Sequence, residues 1–400
     1  MSKAKCVLAY SGGLDTSVAI KWIAEKYNVD IIAVAVDVGE ERDYEAIRLK
    51  GEQTGAVESI VVDARQEFAD EYISRAIKSN LMYEHKYPAF TALARPLLAQ
   101  KQVEVAVSRG AQYVAHGCTG KGNDQVRFEV TYAALAPELE VIAPAREWNM
   151  TREQEIDYAE MNGIPVPVGK KSPYSTDTNL WGRSIECGVI EDPSLEAPDD
   201  AWVWTVSPQN APDQPTYVTV DFEQGVPVAL DGQKLPSAEL VGKLNQIAGA
   251  NGVGRVNMME NRLVGIKSRE LYETPAATVL LAAHRDLESL TLDRETYHFK
   301  PMLELRWAEL VYYGLWFTPL REAIDAFVDQ TQQMVTGQVT VKLYKGNCEA
   351  VARKSEYSLY DFSLASYGEA DKFDQTKAKG FIDIWALPAK VAAAMKRSKE

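Results

Sequence analysis

The chain has 400 residues, of which 46% are apolar, and its formal net charge is −14. This length predicts two or three domains with a well-packed core. The acidity argues against non-specific binding to nucleic acid, and the longest apolar runs, such as residues 279–283, are too short to span a bilayer.

The N-terminus and the cysteines indicate a compartment. Residues 1–5 lead directly into a predicted strand and lack the apolar stretch and cleavage site of a signal peptide. The four cysteines are scattered and form no Cys-x-x-Cys or Cys/His cluster, so a structural zinc or disulfide framework is not expected. These are Cys6, Cys118, Cys187 and Cys348. A reducing, cytoplasmic location is therefore expected.

Strand and helix patterns alternate through the first half of the chain. Short β-branched runs at residues 7–9, 31–36, 59–62, 113–115 and 141–143 are typical of buried strands. Phe68, Tyr72, Ile73, Ala76 and Ile77 would share one face of a helix, and residues 151–154 have the form of a capping box. This alternation predicts a doubly wound parallel sheet with helices on both faces.

The turn after the first strand is the most informative segment. Its sequence is Ala9, Tyr10, Ser11, Gly12, Gly13, Leu14, Asp15, Thr16 and Ser17. Adjacent glycines allow a tight turn, and the first N–H groups of the next helix have no internal partners, so the segment can hold phosphate. By itself, a Ser-Gly-Gly sequence is usually a plain turn. Asp15 by itself is interpreted as an ordinary acidic residue in the first turn of a helix.

The context of this turn favours a functional interpretation. It is neither a Walker-type loop nor a dinucleotide fingerprint. It resembles the pyrophosphatase loop (PP-loop) of enzymes that cleave ATP to AMP and pyrophosphate, with Thr16 where most of that superfamily has Ser.

A second glycine-rich passage, residues 113–129, also follows a predicted strand. The carboxyl ends of parallel strands meet at one edge of the sheet, so this passage should lie beside the first turn. We interpret it as a binding loop, although a solvated turn before a charged helix is the alternative. His116 is interpreted as a hydrogen-bonded structural residue rather than a general base.

The pattern changes at residues 163–169, where we place a domain boundary. Beyond it, strands are predicted at residues 217–222 and 339–343, with a hairpin turn at Asp231 and Gly232. A helix capped by Ser237 is predicted, with further helices at residues 275–290 and from about Pro301 to residue 314. This half is expected to be α+β.

The C-terminal segment combines apolar residues at 382–387 with an Ala- and Lys-rich helix at residues 388–399. It would pack either on another subunit or on its own domain, and the sequence leaves both open.

Several long motifs resemble those of the argininosuccinate synthase family and occur in the same order as in that family. They are residues 93–96, 116–129, 182–186, 253–255, 260–262 and 265–275, and the resemblance covers residues 5–385. It implies that citrulline and aspartate are joined with cleavage of ATP to AMP and pyrophosphate, through citrullyl-AMP. It also implies an ATP-binding domain at residues 1–168, a synthetase and multimerisation domain at 169–375, an oligomerisation tail at 376–400, and a homotetramer.

The resemblance also implies roles for individual residues. Residues 9–17 would hold the ATP phosphates, with Asp15 acting through magnesium; the backbone of Val36 would contact the adenine; and Gly117 would approach the nucleotide closely. Aspartate would be bound by Thr119, Asn123 and Asp124. Citrulline would be bound by Tyr87, Asn123, Arg127, Ser175, Ser184, Glu260 and Tyr272. Asp15 and Asp124 would be the catalytic residues.

Two departures from the family pattern bear on these roles. Many relatives have Ala at the position of Val36. Many also have Ser at the position of Ala92, and Thr91 could supply the hydroxyl contact that this serine makes. Arg95 more simply shapes the start of a helix than binds substrate. Without the resemblance, the sequence also allows Arg127 and Glu260 to be a solvated pair. It likewise allows Ser175 and Ser184 to be turn residues and the two tyrosines to be half-buried core aromatics.

Other functions compete with this one. A related ATP-to-AMP enzyme, such as an NAD or GMP synthetase, would need an ammonia source, and no glutaminase-like Cys/His arrangement is evident. A nucleotide sensor without catalysis is the alternative outside the enzymes, and the acids Asp15, Asp124 and Glu260 argue against it.

Overall fold

The computed structural model describes residues 3–148, 150–165 and 173–399. The chain forms two compact units, residues 1–357 and 358–400.

The first part of the larger unit is built on a parallel sheet. Its elements are β1 (Lys5–Ala9), α1 (Leu14–Tyr27), β2 (Asp30–Asp37), α2 (Tyr44–Thr54), β3 (Glu58–Asp63), α3 (Arg65–Glu67), a π-helical turn (Phe68–Ile73), α4 (Ser74–Lys78), α5 (Phe90–Arg109), β4 (Tyr113–Ala115), α6 (Asp124–Leu135), β5 (Glu140–Ile142), α7 (Pro144–Glu147) and α8 (Arg152–Met161). The strand order is β3-β2-β1-β4-β5, and every pair is parallel. The order reverses between β1 and β4, which is where ligands bind in such sheets.

The predicted elements of this sheet are confirmed. Each of the five predicted strands is present, and the five apolar side chains predicted to share a helix face are all buried in the helical segment 65–78. The capping box at the start of α8 is also present, because the Thr151 hydroxyl accepts from the amide of Gln154, whose side chain accepts from the amide of Thr151.

The second part carries two antiparallel sheets. Its elements are β6 (Ser175–Asn179), β7 (Gly182–Glu186), 3-10 turns at Gly188–Glu191 and Asp199–Ala201, β8 (Thr216–Glu223), β9 (Val226–Leu230), β10 (Gln233–Lys234), α9 (Ser237–Ala250), β11 (Arg255–Asn261), β12 (Lys267–Glu273), α10 (Pro275–Thr291), α11 (Arg294–Tyr312), α12 (Pro319–Gln332), β13 (Gly337–Tyr344) and β14 (Asn347–Lys354). One sheet has the order β10-β9-β8-β13-β14 and the other β11-β12-β7-β6. The predicted α+β character and the turn at Asp231 and Gly232 are confirmed, both residues having positive φ.

Two predicted helix starts are wrong. The N-cap of α9 is Pro236, not Ser237, whose hydroxyl instead binds the carboxylate of Asp70 in the π-helical turn. Helix α11 begins at Arg294, because the Asp293 side chain caps it by accepting from two backbone amides. Pro301 therefore lies inside the helix rather than at its first turn, where proline is usually found.

One continuous apolar core joins the two parts of the larger unit. Phe68, Tyr72 and Phe90 from the parallel-sheet part pack in the same cluster as Leu280 and Trp307 from the second part. Helix α5 also packs on β6 and β7. The four-stranded antiparallel sheet is therefore held beside the parallel sheet by buried side chains.

The smaller unit contains α13 (Phe362–Ala365), a 3-10 turn (Gln375–Lys377), α14 (Ala378–Trp385) and α15 (Leu387–Arg397). The predicted C-terminal helical tail is confirmed. Its large apolar side chains are exposed, among them Phe381, Ile384, Trp385 and Val391. None of the helices in the described ranges has the length and apolar content to cross a membrane. The predicted domain boundary lies largely outside the described residues, so the three-domain division stays a prediction.

Candidate functional site

The turn between β1 and α1 is shaped by glycines and hydroxyls. Gly12 has φ +73°, in the left-handed region that favours glycine. No side chain caps α1, whose N-cap is Gly13, so its first amides are free to bind an anion. The hydroxyls of Ser11 and Thr16 lie 3.1 Å apart at the mouth of this turn. The turn therefore has the donors that a phosphate group needs.

Other groups hold this turn in place. The Ser17 hydroxyl is fully buried, donates to the carbonyl of Gly13 at 2.7 Å and lies 3.2 Å from the Tyr10 hydroxyl. Arg42 donates to the carbonyl of Ser11, and Lys50 donates to that of Gly12. Ser17 and Gly12 thus lie behind the turn, while the other residues of the segment line the space in front of it.

That space is a cavity of about 550 Å³, here called the first cavity. Besides the turn, it is lined by Val36 on β2, by Gly117 after β4, and by residues 175–178 on β6. A Cβ on Gly117 would lie 3.0 Å from Cγ2 of Thr16. The turns after β1 and β4 therefore meet at the switch point of the sheet, as their positions in the sequence predict.

His116 is engaged at both ring nitrogens. It is fully buried, its Nε2 lies 3.0 Å from the Glu129 carboxylate, and its Nδ1 accepts from the amide of Cys118. Arg146 pairs with the same carboxylate at 2.6 Å. This is the hydrogen-bonded structural role expected from the sequence.

A carboxyl pair lies next to the phosphate-type turn. Asp15 lines the first cavity, and Glu155 of α8 is hydrogen-bonded to it and buried. Burial and the Asp15 charge raise the pKa of Glu155 to about 7, with Arg152 opposing the rise. Two adjacent carboxyl groups of this kind repel each other unless a proton or a cation lies between them.

A chain of partly buried ion pairs separates the first cavity from the next. Arg95 on α5 bridges Asp124 (2.8 Å) and Asp177, and Arg127 binds the other oxygen of Asp124 at 2.7 Å. Burial opposes ionisation of Asp124, but the two guanidinium groups outweigh it and hold its pKa at about 2. Asp124 is therefore ionised throughout the physiological range, and a carboxylate with so low a pKa is a very weak base.

The four-stranded sheet presents one polar face to this chain of charges. Successive residues of a strand point to opposite faces, and cross-strand partners share a face. The register pairs Ser175 with Glu186, Asp177 with Ser184, Ser184 with Tyr272, and Ser268 with Glu260. These side chains therefore lie on one face, together with Glu270. The opposite face carries Ile185 and Leu271, which are buried in an apolar cluster.

This face borders a cavity of about 270 Å³, here called the second cavity. The predicted residues that line it are Tyr87, Thr119, Asn123, Asp124, Arg127, Ser184, Glu260 and Tyr272, and Thr91 lines it as well. Ser175 lines the first cavity instead. The two cavities share Gly117, Cys118, Asp124 and Asp177.

Two stacked tyrosines line the second cavity, and a second tyrosine stack supports the site from outside the lining. Tyr87 and Tyr272 line the cavity with ring centroids 3.9 Å apart, and Tyr83 stacks on Tyr312 at 3.6 Å. The hydroxyls of Tyr272 and Tyr312 donate to the two oxygens of Glu260. Burial raises the pKa of Glu260, and these hydroxyls offset part of that rise.

Asn123 connects the two parts of the larger unit. Its amide nitrogen donates to the Tyr312 hydroxyl at 2.9 Å, and its amide oxygen accepts from the backbone of Leu263 at 2.8 Å. Arg127 lies over the Tyr312 ring, 4.8 Å from its centroid. The start of α6 is thereby fixed against the β11–β12 hairpin.

Sequence reasoning missed several residues of the site. Arg95 was expected to shape a helix start rather than to bind substrate, whereas it lies inside α5 and bridges two carboxylates. Asp177, Tyr312 and Glu155 carried no local signal, because their importance comes from contacts with residues distant in the sequence. Glu186 and Glu270 lie inside motifs that resemble family signatures, and their alternation with Ser184 and Tyr272 is the signal that places them on the same face.

Comparisons with known proteins agree with this architecture. Residues 5–165 match the family described as the arginosuccinate synthase N-terminal HUP domain, and residues 174–392 match the arginosuccinate synthase C-terminal domain. The chain is similar to the argininosuccinate synthase of Symbiobacterium thermophilum, at 59% identity over 100% of both chains. It is also similar to those of Streptococcus gordonii, at 56% over 100% of both chains, and Oceanobacillus iheyensis, at 55% over 99% of this chain and 95% of the other. The chain therefore belongs to the argininosuccinate synthase family.

Proposed function

We propose that the two cavities carry out one reaction in two steps, with ATP in the first cavity and two amino acids in the second. As a member of its family the chain is a ligase, and the family's reaction joins L-citrulline and L-aspartate into argininosuccinate at the expense of ATP, in arginine biosynthesis. Because no covalent enzyme intermediate is required, the residues act mainly by positioning and by charge stabilisation.

In the first step, the ureido oxygen of citrulline attacks the α-phosphorus of ATP. A new O–P bond forms, the bond between the α-phosphorus and the bridging oxygen breaks, and pyrophosphate leaves. The turn at residues 9–17 would hold the departing diphosphate through the free amides of α1 and the hydroxyls of Ser11 and Thr16. Gly117 would allow the nucleotide a close approach, and Val36 would contact the adenine through its backbone.

Magnesium would bind at the carboxyl pair beside this turn. Asp15 and Glu155 provide hard oxygen ligands next to the proposed phosphates, and magnesium is commonly held by one or two carboxylates together with substrate phosphates. Burial is the largest cause of the raised pKa of Glu155, and the charge of the hydrogen-bonded Asp15 adds to it, which a bound cation would counteract. When bound, the ion would neutralise charge on the leaving diphosphate.

In the second step, the aspartate ammonium first loses a proton to water, and the resulting amine attacks the ureido carbon. A C–N bond forms, the C–O bond to the adenylate breaks, AMP leaves with that oxygen, and the attacking nitrogen gives a further proton to water to leave a guanidinium group. Thr119, Asn123 and Asp124 would hold aspartate; since the pKa of Asp124 is about 2, it would orient an ammonium group rather than accept its proton. Citrulline would be held by Tyr87, Asn123, Arg127, Ser184, Glu260 and Tyr272, with Ser175 reaching from the nucleotide side.

The observation that carries this proposal is the contact between the cavities. They share residues 117, 118, 124 and 177, so an α-phosphate in the first and a ureido group in the second would meet at that border. A reaction that transfers an adenylyl group between two bound substrates needs such a border.

A direct assay tests the proposed reaction. Purified protein is incubated with magnesium, citrulline, aspartate and ATP labelled at the α-phosphate, and the products are separated. We expect equal amounts of AMP and argininosuccinate. The absence of AMP with all substrates present, or the formation of ADP and orthophosphate, would contradict the proposal.

We also propose a cytoplasmic homotetramer that uses the C-terminal tail as a contact. Support comes from the exposed apolar side chains of α14 and α15. Replacing Ile384 and Trp385 by aspartate should lower the mass measured by sedimentation, whereas Lys396→Asp, a substitution of an exposed charge, should not. An unchanged mass would favour the alternative, in which the tail packs on its own domain.

A further inference from the structure

A third cavity, of about 280 Å³, lies apart from the site described above. It is lined by residues 80–85, which follow α4, and by residues of α10 and α11. None of its described lining residues borders the first or the second cavity. Its volume is close to that of the second cavity, so it has room for a small molecule.

The inner wall of the third cavity consists of buried polar groups that are paired with one another. Lys300, which is 1% exposed, pairs with Glu288 at 2.9 Å and with Glu304 at 2.6 Å. The Asn80 amide nitrogen donates to the same two carboxylates, at 2.7 Å each. Removing any one of these partners would leave a buried charge uncompensated. The network therefore fixes the shape of the cavity before any ligand binds.

One cation at the rim of the third cavity is left over. Arg285 of α10 is exposed and donates to one backbone carbonyl at 3.2 Å, and it forms no ion pair in the described part of the chain. A guanidinium group has five N–H donors in a plane and can bind a carboxylate with two of them. His85 and Tyr297 add polar groups to the lining, and Pro301 and Leu305 add apolar surface. This set suits an acid group attached to a short aliphatic chain.

The segment that lines the third cavity also reaches the second cavity. Asn80, Glu84, His85 and Ala89 have φ between +46° and +62°, in the left-handed region that residues other than glycine rarely adopt. Such conformations cost free energy and are concentrated at binding sites and switch regions. Between them lies Tyr87, which lines the second cavity. A molecule that contacts this segment in the third cavity can therefore act on the second.

We propose that the third cavity is an effector site for a small aliphatic carboxylate. The acid group binds Arg285, and the carbon chain lies against Pro301 and Leu305. The same acid group occurs in free amino acids and in simple carboxylic acids, so the experiment below includes one of each.

Binding at this site should stabilise the segment 80–89 in the arrangement that places Tyr87 in the second cavity. The strained backbone of the segment opposes this arrangement. A ligand that contacts Met82 and His85 adds binding free energy to this arrangement alone, and so increases its population. Citrulline should then bind more tightly. This last step rests on the proposed function, whereas binding of the carboxylate does not.

Three molecules with the same branched carbon chain test the binding. L-Leucine and 4-methylpentanoate carry the carboxylate, and L-leucinol lacks it. Ligand-observed NMR titrations are performed with saturating citrulline and aspartate, so that the second cavity is filled. We expect a dissociation constant on the order of 1 mM for at least one of the two acids, and binding at least about tenfold weaker for L-leucinol. The acid that binds more tightly identifies the source as amino acids or simple acids.

Arg285→Gln tests the proposed contact with the acid group. It should weaken binding of the acids about tenfold or more, because charged hydrogen bonds are lost. Arg294→Gln is the matched control, since it removes an exposed guanidinium group at the start of α11, outside the lining of the cavity. This control should bind the acids as the wild type does. The comparison with L-leucinol uses only the wild type and stands even where a variant does not fold.

The KM for citrulline tests the effect on the second cavity. With the tighter acid present at its wild-type dissociation constant, the citrulline KM of the wild type should fall about threefold, as a fivefold coupling between the two sites predicts. In Arg285→Gln the same concentration should lower it less than about 1.5-fold, because little acid is bound.

Several results would overturn the proposal. No binding of either acid, equal binding of L-leucinol, or unchanged binding in Arg285→Gln would each rule out the site. An unchanged or raised citrulline KM in the wild type would rule out its effect on the second cavity, and a rise that persists in Arg285→Gln would show that the acids compete with citrulline instead. If the wild type forms no argininosuccinate, the proposed function fails, and the NMR titrations still decide whether the third cavity binds carboxylates.

Discussion

The first cavity is built mainly from two turns that follow neighbouring parallel strands, whereas the second is built on the face of an antiparallel sheet. In the first, most donors come from one run of nine residues and from free backbone amides. In the second, side chains from α5, α6, β7, β11 and β12 converge, and nearly all of them are already paired with one another.

This difference has a physical consequence. A site made of backbone amides keeps its geometry when most side chains change, because the amides are fixed by the helix start. A site made of paired charges loses several contacts when one member is removed, because the remaining partners stay buried without compensation. Substitutions should therefore have larger effects in the second cavity than in the first.

The largest effect is expected for Asp124→Asn. The substitution keeps the shape of the side chain but leaves Arg95 and Arg127 without their shared anion. We expect turnover to fall by roughly 100-fold or more, since misplacing a positioning group costs about that much, while ATP binding changes little. Argininosuccinate formation measures the turnover, and calorimetry measures the affinity for ATP.

Asp157→Asn, on the exposed side of α8, is the control for this experiment and should behave as the wild type. A variant Asp124→Asn with an unchanged KM for aspartate would contradict the role proposed for this residue. Loss of ATP affinity equal to the loss of turnover would contradict the separation of the two cavities.

A smaller effect is expected for Gly117→Ala in the first cavity. Its new Cβ would lie 3.0 Å from Cγ2 of Thr16, tighter than normal contact. The lower end of the cost of overpacking, about 1.4 kcal/mol, corresponds to a rise in the KM for ATP of about tenfold. Steady-state kinetics at saturating citrulline and aspartate measure this KM for ATP.

A second substitution, Thr16→Ser, sharpens this test. It removes the methyl group that the new Cβ at position 117 would meet and keeps the hydroxyl that lies near Ser11. The double variant should recover an ATP KM within about threefold of the wild type. If it does not, the close approach of the two turns is not the reason for glycine at position 117.

The same contrast explains how far the sequence could be interpreted. The parallel sheet, both turns and the edge where they meet were predictable, because strand periodicity and turn residues are local signals. The bridge from Arg95 to Asp177 and the contact from Asn123 to Tyr312 were not, because they join residues 82 and 189 positions apart. For the second cavity, only the family resemblance brought the predicted residues together.

The helix starts that were predicted wrongly follow the same rule. At Ser237 the local capping signal lost to a tertiary hydrogen bond with Asp70. At Pro301 the local signal for a first turn lost to the cap that Asp293 provides about two helical turns earlier. Both are cases in which a distant or stronger partner overrides a propensity.

Glu155→Gln should change stability with a characteristic pH dependence. Because the pKa of Glu155 is raised to about 7 in the folded protein, the folded state binds more protons than the unfolded state between about pH 4.5 and pH 7, so stability falls as pH rises through that range. The amide removes this contribution. We expect Glu155→Gln to stabilise the ligand-free protein by on the order of 1 kcal/mol at pH 8 and to have little effect at pH 4.5.

Thermal unfolding at several pH values measures this, with Glu160→Gln on the exposed side of the same helix as control. Equal shifts at pH 4.5 and pH 8 would contradict the carboxyl-pair explanation. Magnesium with ATP should reduce the difference in unfolding temperature between the wild type and Glu155→Gln at pH 8. A bound cation would offset the repulsion between the two carboxyl groups in the wild type, and the variant lacks that repulsion already.

The smallest effect is expected for Val36→Ala. Val36 is half-buried at the end of β2, beside Val62 on β3, and packs against two apolar clusters. Removing its two methyl groups should cost about 1 kcal/mol of stability, measured by denaturant unfolding. The KM for ATP should change by less than about threefold, since a backbone contact to the adenine does not depend on the side chain. A larger change would mean that the first cavity, like the second, depends on its side chains.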